Sequence, residues 1–356
     1  MRRLILAGGG HGHINILKEL IKNPIHDIEV TLITDFRRQY YSGMLAGFIE
    51  GIYSEDDISF DVKSLCARAG VKYIEESIVS IDKDEKLVVT KNAKYHYDII
   101  SINLGSLSNI NFNIESDDVC LVKPINRVVR AKMEIQSRLD DPNFKKLVFI
   151  GGGASGIELA LAFKSAFKSF DVYIITSDDI LVNFNAKTRQ KIKNILIDKD
   201  INIITGKNVK EIRDNQIFTD DGVIDFDYAF ITTGFRGPDV CFDNFETTEK
   251  NYILVSDKLV AAQNSVVMGD TATLTCHLDL PKAGVFAIRE APILYHNLLK
   301  IIGGDNQLKS YSPQLKYLQI INCGDKKAIA NYGGISFYGK IAWKIKDKID
   351  RDYMKV

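Results

Sequence analysis

Apolar and polar positions change period early in the chain. Arg3-Leu4-Ile5-Leu6-Ala7 reads as a short apolar strand running into Gly8-Gly9-Gly10-His11-Gly12-His13. Ile14, Leu17, Leu20 and Ile21 then recur at helical spacing, and Val30-Thr31-Leu32-Ile33 reads as a second strand. The same order returns later. Leu147-Val148-Phe149-Ile150 runs into Gly151-Gly152-Gly153-Ala154-Ser155-Gly156, a helix carries Ile157, Ala160, Leu161 and Phe167, and Val172-Tyr173-Ile174-Ile175 follows. Each set predicts strand, glycine turn, helix and strand, a βαβ unit opening a parallel sheet. The copies also close alike. Asp98 precedes Gly105 by seven residues across an apolar strand, and Asp227 precedes Gly234 by the same interval.

After the second copy, Ser265-Val266-Val267-Met268-Gly269-Asp270 predicts a strand ending in Gly-Asp. Pro281-Lys282-Ala283-Gly284 leads into a helix through Val285, Ile288 and Leu294, which Pro292 is expected to kink or divide. Beyond Tyr311-Ser312-Pro313 the pattern predicts strands near 315–322 and 327–332, then a charged terminal helix. The fold class is α/β, with two Rossmann-like domains and a small C-terminal α+β segment.

Composition narrows the function. The chain has 356 residues, 46% of them apolar, enough for more than one full core. Its 46 basic and 46 acidic residues balance, so no global field attracts nucleic acid. The five cysteines, Cys66, Cys120, Cys241, Cys276 and Cys323, form no CxxC and no secreted disulfide framework, which points to a reducing compartment. The first apolar run meets glycine too soon for a signal peptide, and no apolar stretch approaches a bilayer span. A cytoplasmic location, soluble or peripheral on a membrane, is expected.

A strand–glycine–helix turn aims free backbone N–H groups and the positive end of a helix dipole at one point, which suits a pyrophosphate. Gly151, Gly153 and Gly156, with Glu158 and Ala160, complete GxGxxGxExA in the full strand–helix–strand context. In the first copy Gly8 and Gly10 fit, but His13 holds the third position, which implies a wider helix–strand approach. Thr34 stands where a ribose-holding acid is expected, with Asp35 beside it. In the second copy Thr176 and Ser177 precede Asp178, and no arginine is present to grip a 2′-phosphate, which favours NADH over NADPH. Asp270, at a strand end, suits the ribityl hydroxyls of a flavin. His11 and His13 form an HxH, read as packing or cofactor contact because no acid or cysteine cluster joins them into a metal site.

Taken with Tyr41-Ser42-Gly43-Met44-Leu45, Gly324-Asp325, Gly333-Gly334 and Trp343-Lys344-Ile345-Lys346-Asp347, these motifs resemble the two-dinucleotide-binding-domain flavoproteins of the pyridine nucleotide–disulfide oxidoreductase superfamily. The likeness is to the type II NADH:quinone oxidoreductase-like branch and to the oxidoreductase domain fused to selenide, water dikinase. It covers nearly the whole chain. It implies an FAD domain at 1–112 and 250–310, an inserted NAD(P)H domain at 113–249, and a C-terminal segment at 311–356. Carried over, Gly8, Gly10 and Gly105 lie along the FAD, with His11 and Asp35 nearby, Asp270 at its ribityl–phosphate region, and Ser42 and Met44 beside the isoalloxazine. Gly151, Gly153, Gly156 and Gly234 bind NAD(H), and Glu158 faces the nicotinamide.

The departures from the family are His13, Thr34 and the redox cysteines. No cysteine occurs between 1 and 65, and Ser42 stands where a disulfide reductase carries its thiols. The expected activity is therefore hydride transfer from NADH to FAD, then electron transfer to a diffusible quinone-like acceptor. Alternatives are a sulfide:quinone oxidoreductase-like enzyme using Cys120 and Cys323, a ferredoxin or rubredoxin reductase, and a non-catalytic NADH sensor. Lys282, Glu158 and Glu290 are the candidate catalytic residues. Lys282 would stabilise negative charge on reduced flavin or else be a solvated surface lysine, and Glu290 would relay protons or else sit in a helix-surface salt bridge. Tyr338, Ile341, Ala342, Ile345, Ile349 and Tyr353 share one face of the terminal helix, and Lys340, Lys344, Lys346, Lys348, Arg351 and Lys355 supply cations. Such a helix suits an anionic bilayer surface, and the alternative is docking on its own body or on a second subunit of a homodimer.

Overall fold

A computed structural model describes residues 1–314 and 316–356. The duplicated pattern becomes two sheets built in the same strand order. The first runs Lys72–Glu75, Ile28–Thr34, Arg2–Ala7, Ile99–Ile102, Ser265–Val267, Val260–Ala262, parallel except for the final hairpin. The second runs Ile201–Thr205, Asp171–Thr176, Lys146–Ile150, Tyr228–Ile231, Val119–Leu121, all parallel. Successive residues of a strand face opposite sides, so the unbroken burial of Leu147–Ile150 means that both faces of the second sheet are covered. In each sheet the chain works outward from the glycine-bearing strand and then returns to pair on its other side. Strand order thus reverses beside Arg2–Ala7 and beside Lys146–Ile150. The crevice past the carboxyl ends of the strands at such a reversal is where open α/β sheets bind ligands.

The duplication extends further than the apolar pattern reveals. Each unit carries a three-stranded antiparallel ribbon, Ile78–Asp82 to Lys94–His96 in one and Val209–Arg213 to Val223–Asp225 in the other. Each ribbon gains a fourth, parallel strand from a segment crossing between units, Cys241–Asp243 and Asn113–Glu115 respectively. Cys241–Asp243 thus pairs with the ribbon of the first unit, and Asn113–Glu115 with that of the second. The two crossings also pair with each other, Leu107–Ser108 against Phe235–Arg236.

Asp98 and Asp227 have a shared structural role. The Asp98 carboxylate accepts the backbone N–H of Arg3 at 2.7 Å, and Asp227 accepts those of Lys145 and Lys146 at 2.7 and 2.6 Å. Each acid clamps the start of the neighbouring strand and so sets the register that brings the two strand ends level at the reversal point.

Three expectations need correction. The helix Gly284–Ile302 runs unbroken through Pro292. Its packing along the helix His11–Lys22, with Ala291, Leu294 and Leu298 buried, offsets the one backbone bond that proline removes. The C-terminal segment has three antiparallel strands, Gln319–Asn322, Ala328–Tyr332 and Ile335–Gly339, where two were expected. The expected start of the first near 315 includes Leu315, outside the described residues. The terminal helix Lys340–Met354 splits its apolar positions. Ala342 and Tyr353 turn inward, while Ile341, Ile345 and Ile349 stay exposed, because the polar Lys346 and Asp350 make the contacts with the body.

Replacing Asp227 by alanine removes two charge-assisted bonds from a partly solvated carboxylate. It is expected to lower stability by about 1–2 kcal/mol, read as a fall in urea midpoint with an unchanged denaturant slope.

Candidate active site

The two glycine turns share one frame. Gly8 and Gly151 have φ of +96° and +125°, which L side chains rarely adopt. The N–H of each bonds to the second strand, at Ile33 O and Ile175 O, both at 2.8 Å. Thr34 and Thr176, at the ends of those strands, close over the middle glycines Gly9 and Gly152. Thr34 is thus a packing residue for the turn, and Asp35 lies exposed just beyond it.

The cradles differ in what fills them. In the second, a Cβ on Gly156 would collide with the Gly151 carbonyl and the Thr232 hydroxyl, so this glycine permits the close helix–strand approach. A Cβ on Gly153 would meet open space, and Gly153, Ala154 and Ser155 at the helix start are exposed. In the first cradle the close approach has moved. A Cβ on Gly12 would run into the Met268 thioether, and one on Gly10 into the Asn103 side chain. Asn103 Oδ1 accepts the Gly12 N–H at 2.9 Å, and its Nδ2 donates to Met268 O at 3.1 Å. His13 is fully buried, with Nδ1 2.6 Å from Gly8 O and Nε2 2.8 Å from Ser101 Oγ. The imidazole fills the third-glycine position as a hydrogen-bonded wedge while the close contact passes to Gly12. Asn103 and Thr232 occupy equivalent places after their strands, a correspondence that a glycine search passes over.

Gly105 and Gly234 both have positive φ, and neither is crowded by a neighbour where a Cβ would stand. The Thr271 hydroxyl accepts the N–H groups of Leu104 and Gly105 at 2.9 and 2.8 Å and ties that turn to the Gly269-Asp270 strand end. Around Asp270 the fold assembles a charged group. Burial alone would raise its carboxyl, but the Lys123 ammonium and the Ser106 hydroxyl, which bonds at 2.9 Å, hold it below the ordinary value. Lys123 comes from the crossing into the second unit and also lies 4.3 Å from the centre of the Phe235 ring.

Lys282 and Glu290 sit beside this group, around a small cavity they share with Gly269 and Asp270. Lys282 is no free surface lysine. Its ammonium is held by Ala272 O and by Thr273 Oγ1, over the Tyr252 ring, and burial lowers its pKa. Nor is Glu290 in a helix-surface salt bridge. It is buried, accepts the Gly269 N–H at 2.7 Å, and burial raises its pKa.

A second polar cluster joins the turn at Tyr41–Met44, the second-unit helix and the terminal helix. Met44 is buried and Ser42 exposed. Lys346 donates to Gly43 O and lies 2.7 Å from Asp350, which also accepts from the Tyr41 hydroxyl at 3.1 Å. Glu158 accepts the Asn322 N–H at 2.8 Å and faces Lys346. One buried ammonium serves two carboxyls here. Burial pushes Glu158 and Asp350 up, and their combined charge overcomes the opposite effect of burial on Lys346.

Residues 2–291 match the family model described as pyridine nucleotide-disulphide oxidoreductase. The chain belongs to this family. Among its relatives is a type II NADH:quinone oxidoreductase of Staphylococcus aureus, 24% identical over 168 residues, 44% of this chain and 42% of that one. The chain thus spans less than half the length of the curated relatives it matches. Among solved structures, NDH2 of Plasmodium falciparum in complex with NADH superposes with a TM-score of 0.82 at 14% identity, over 99% of this chain and 96% of that one. The sulfide:quinone oxidoreductase of Aquifex aeolicus does so with 0.79 at 19% identity, over 99% and 90%. At these identities the superpositions establish the fold alone, an α/β architecture with two parallel-stranded sheets. Within this family member all five cysteines are free thiols. Cys120 and Cys323 are buried, and burial pushes both up to about 12. Such thiols stay protonated and unreactive.

The His13 wedge has a pH signature. Unfolded, the imidazole takes a proton below its ordinary 6.5, whereas folded it does so only below about 4, because burial disfavours the cation. Its stabilising effect is full above pH 6.5 and fades as the pH falls towards 4, by about 2 kcal/mol between pH 7.5 and 5. Urea midpoints at these two pH values should differ less in His13→Asn than in the parent chain. An equal difference in both would mean that His13 is protonated in the fold.

Proposed function

We propose that the chain is an FAD-dependent NAD(P)H dehydrogenase. It takes hydride from NADH and passes the electrons to a quinone-like acceptor without a redox disulfide. The observation that carries this reading is the pair of cradles at equivalent reversal points of two like sheets, with buried acids and lysines between them. The relatives named as NADH:quinone oxidoreductases support the same direction, and the two buried, unreactive thiols favour it over a cysteine relay.

In this reading FAD lies in the first cradle, at Gly8, Gly10, His11, Gly105 and Asp270, with Ser42 and Met44 alongside. The ionised Asp270 is suited to accept hydroxyl hydrogen bonds, and His11 Nε2 is a buried polar atom with no protein partner. NADH lies in the open second cradle, at Gly151, Gly153, Gly156 and Gly234. FAD supplies a carrier that takes two electrons from the nicotinamide and releases them to the acceptor. Over the cycle a quinone gains two electrons and two protons, one proton coming from solvent. Glu158 and Glu290 are the acids for that delivery, because burial has raised both towards neutrality. Lys282 and Lys123 hold positive charge beside Asp270, and their field favours added electrons.

We also propose that the acceptor is met at a membrane surface. No helix among the described residues is long and apolar enough to cross a membrane. Ile341 is 71% exposed and Ile335 79%, and Phe337, Ile345 and Ile349 continue that patch between Lys340, Lys344 and Lys348.

The purified protein should carry flavin bands that bleach with NADH under anaerobic conditions and return with a soluble quinone. Glu158→Gln should bleach normally but recover more slowly, on the order of 100-fold. Colourless protein that takes up no flavin would end this reading, and recovery only with a redox protein would replace the quinone. For the membrane contact, co-sedimentation with anionic vesicles should exceed that with zwitterionic ones and fail in Ile341→Asp. Parent protein that stays in the supernatant with both would remove that contact.

A further inference from the structure

One ammonium stands between the two crossings that join the units. Lys123 follows the edge strand Val119–Leu121 of the second sheet, and the Val122 N–H just before it bonds to Ile231 O at 3.3 Å. The N–H of Lys123 donates to Ser108 Oγ at 3.3 Å, on the short strand that pairs with Phe235–Arg236. Its ammonium donates to Ser106 Oγ at 2.7 Å and to Asp270 Oδ2, and it lies 4.3 Å from the centre of the Phe235 ring. A residue delivered by the second sheet thus meets a strand end of the first.

That strand end belongs to the first cradle. Ser265–Val267 pairs with Ile99–Ile102, and a Cβ on Gly269 would run into the Asn103 amide that closes the turn. Asp270 follows directly, and its two oxygens are used unequally. Oδ2 accepts from Lys123 and, at 2.9 Å, from the Ser106 hydroxyl, which can accept from the ammonium and donate to the carboxylate at once. Among the described residues Oδ1 takes no hydrogen bond, and the side chain is 20% exposed. An ionised oxygen in that position is an acceptor left to a ligand.

The charge on Asp270 depends on its partners. Burial works against the carboxylate, but the field and hydrogen bond of Lys123, the Ser106 bond and the field of Lys282 hold it below its ordinary value. Lys282 gives its own hydrogen bonds to Ala272 O and Thr273 Oγ1, so Lys123 is the cation bonded to the carboxylate. The other titratable groups facing Asp270 are His11, Tyr252 and Glu290.

We propose that Lys123 is a positioning residue of the FAD site, which by holding Asp270 Oδ2 presents Oδ1 to the hydroxyls of the flavin side chain. This rests on the reading that the first cradle takes FAD. Its consequence is that the flavin site is completed from the second unit, so FAD is held at full strength only when the two units are in place.

The test uses the full chain stripped of flavin and titrated with FAD at about pH 8 and about pH 6, read by flavin fluorescence. Lys123→Met keeps an unbranched stem over the Phe235 ring and removes the charge. With the ammonium gone burial is less opposed, so the Asp270 carboxyl takes a proton as the pH falls and loses its value as an acceptor. FAD binding should be about tenfold weaker than in the parent at the higher pH and about a further tenfold weaker at the lower one. The ratio of variant to parent removes the titration of Glu290 and Lys282, which both proteins share. Lys123→Arg keeps the cation, and its ratio to the parent should be the same at both pH values.

A variant that removes both charges keeps the test decisive if Lys123→Met leaves too poor a fold, because no unpaired carboxylate remains. Lys123→Met combined with Asp270→Asn should bind FAD no more weakly than Asp270→Asn alone, since Lys123 acts through Asp270. Parent protein that binds no FAD would overturn the underlying reading together with this proposal. Parent protein that binds FAD, with Lys123→Met equal to it or weaker by one factor at both pH values, would overturn the role of Lys123 on Asp270 alone. A further loss of about tenfold in the double variant over Asp270→Asn would overturn it as well.

Discussion

Everything in the molecule is arranged around one close approach, made twice. A strand ends in a left-handed glycine, and the next strand of the sheet ends level with it. The polar residue that follows, Asn103 or Thr232, then meets the start of a helix. This approach aims the unpaired N–H groups of the helix at the crevice where strand order reverses. The clamps at Asp98 and Asp227 lie at the far ends of the same strands and act on the same approach by fixing register.

The two copies differ by small changes at equivalent points. The second cradle is open, with an exposed helix start and a glycine at each of the three expected positions. The first is enclosed. Asn103 bridges from Gly12 to Met268, His13 fills the space of the third glycine, and Tyr353 of the terminal helix bonds to His11 at the helix start. An enclosed site suits a ligand that stays and an open one suits a ligand that exchanges, which is the division of labour a resident flavin and a diffusing nicotinamide nucleotide require. Between them lie two buried polar clusters, one on Asp270 and one on Lys346. Each draws residues from both units, so the junction between them is charged and largely shielded from solvent.

The terminal helix gives the clearest case of an apolar pattern that misleads. Six residues at helical spacing suggested a single apolar face, yet the inward face depends on Lys346, Asp350 and Tyr353, and the isoleucines point outward. Burying Lys346 is tolerable because Asp350, Glu158 and the Gly43 carbonyl surround it. Hydrophobicity alone cannot reveal such a face, since its partners belong to other elements.

The amino-acid sequence by itself determined the duplicated strand–turn–helix units, the glycines at both turns and the strand that ends in Gly269-Asp270. Each of these is written within about thirty residues, over which local periodicity and backbone preference act directly. Only the tertiary structure decided that Asn103 bridges Gly12 to Met268, that Lys123 meets Asp270, that Lys346 reaches Gly43, and that Tyr353 bonds to His11. Those pairs lie 91 to 342 positions apart along the chain. Nothing local selects such partners, because a polar side chain signals its need for a hydrogen bond but not where the packed fold will supply one.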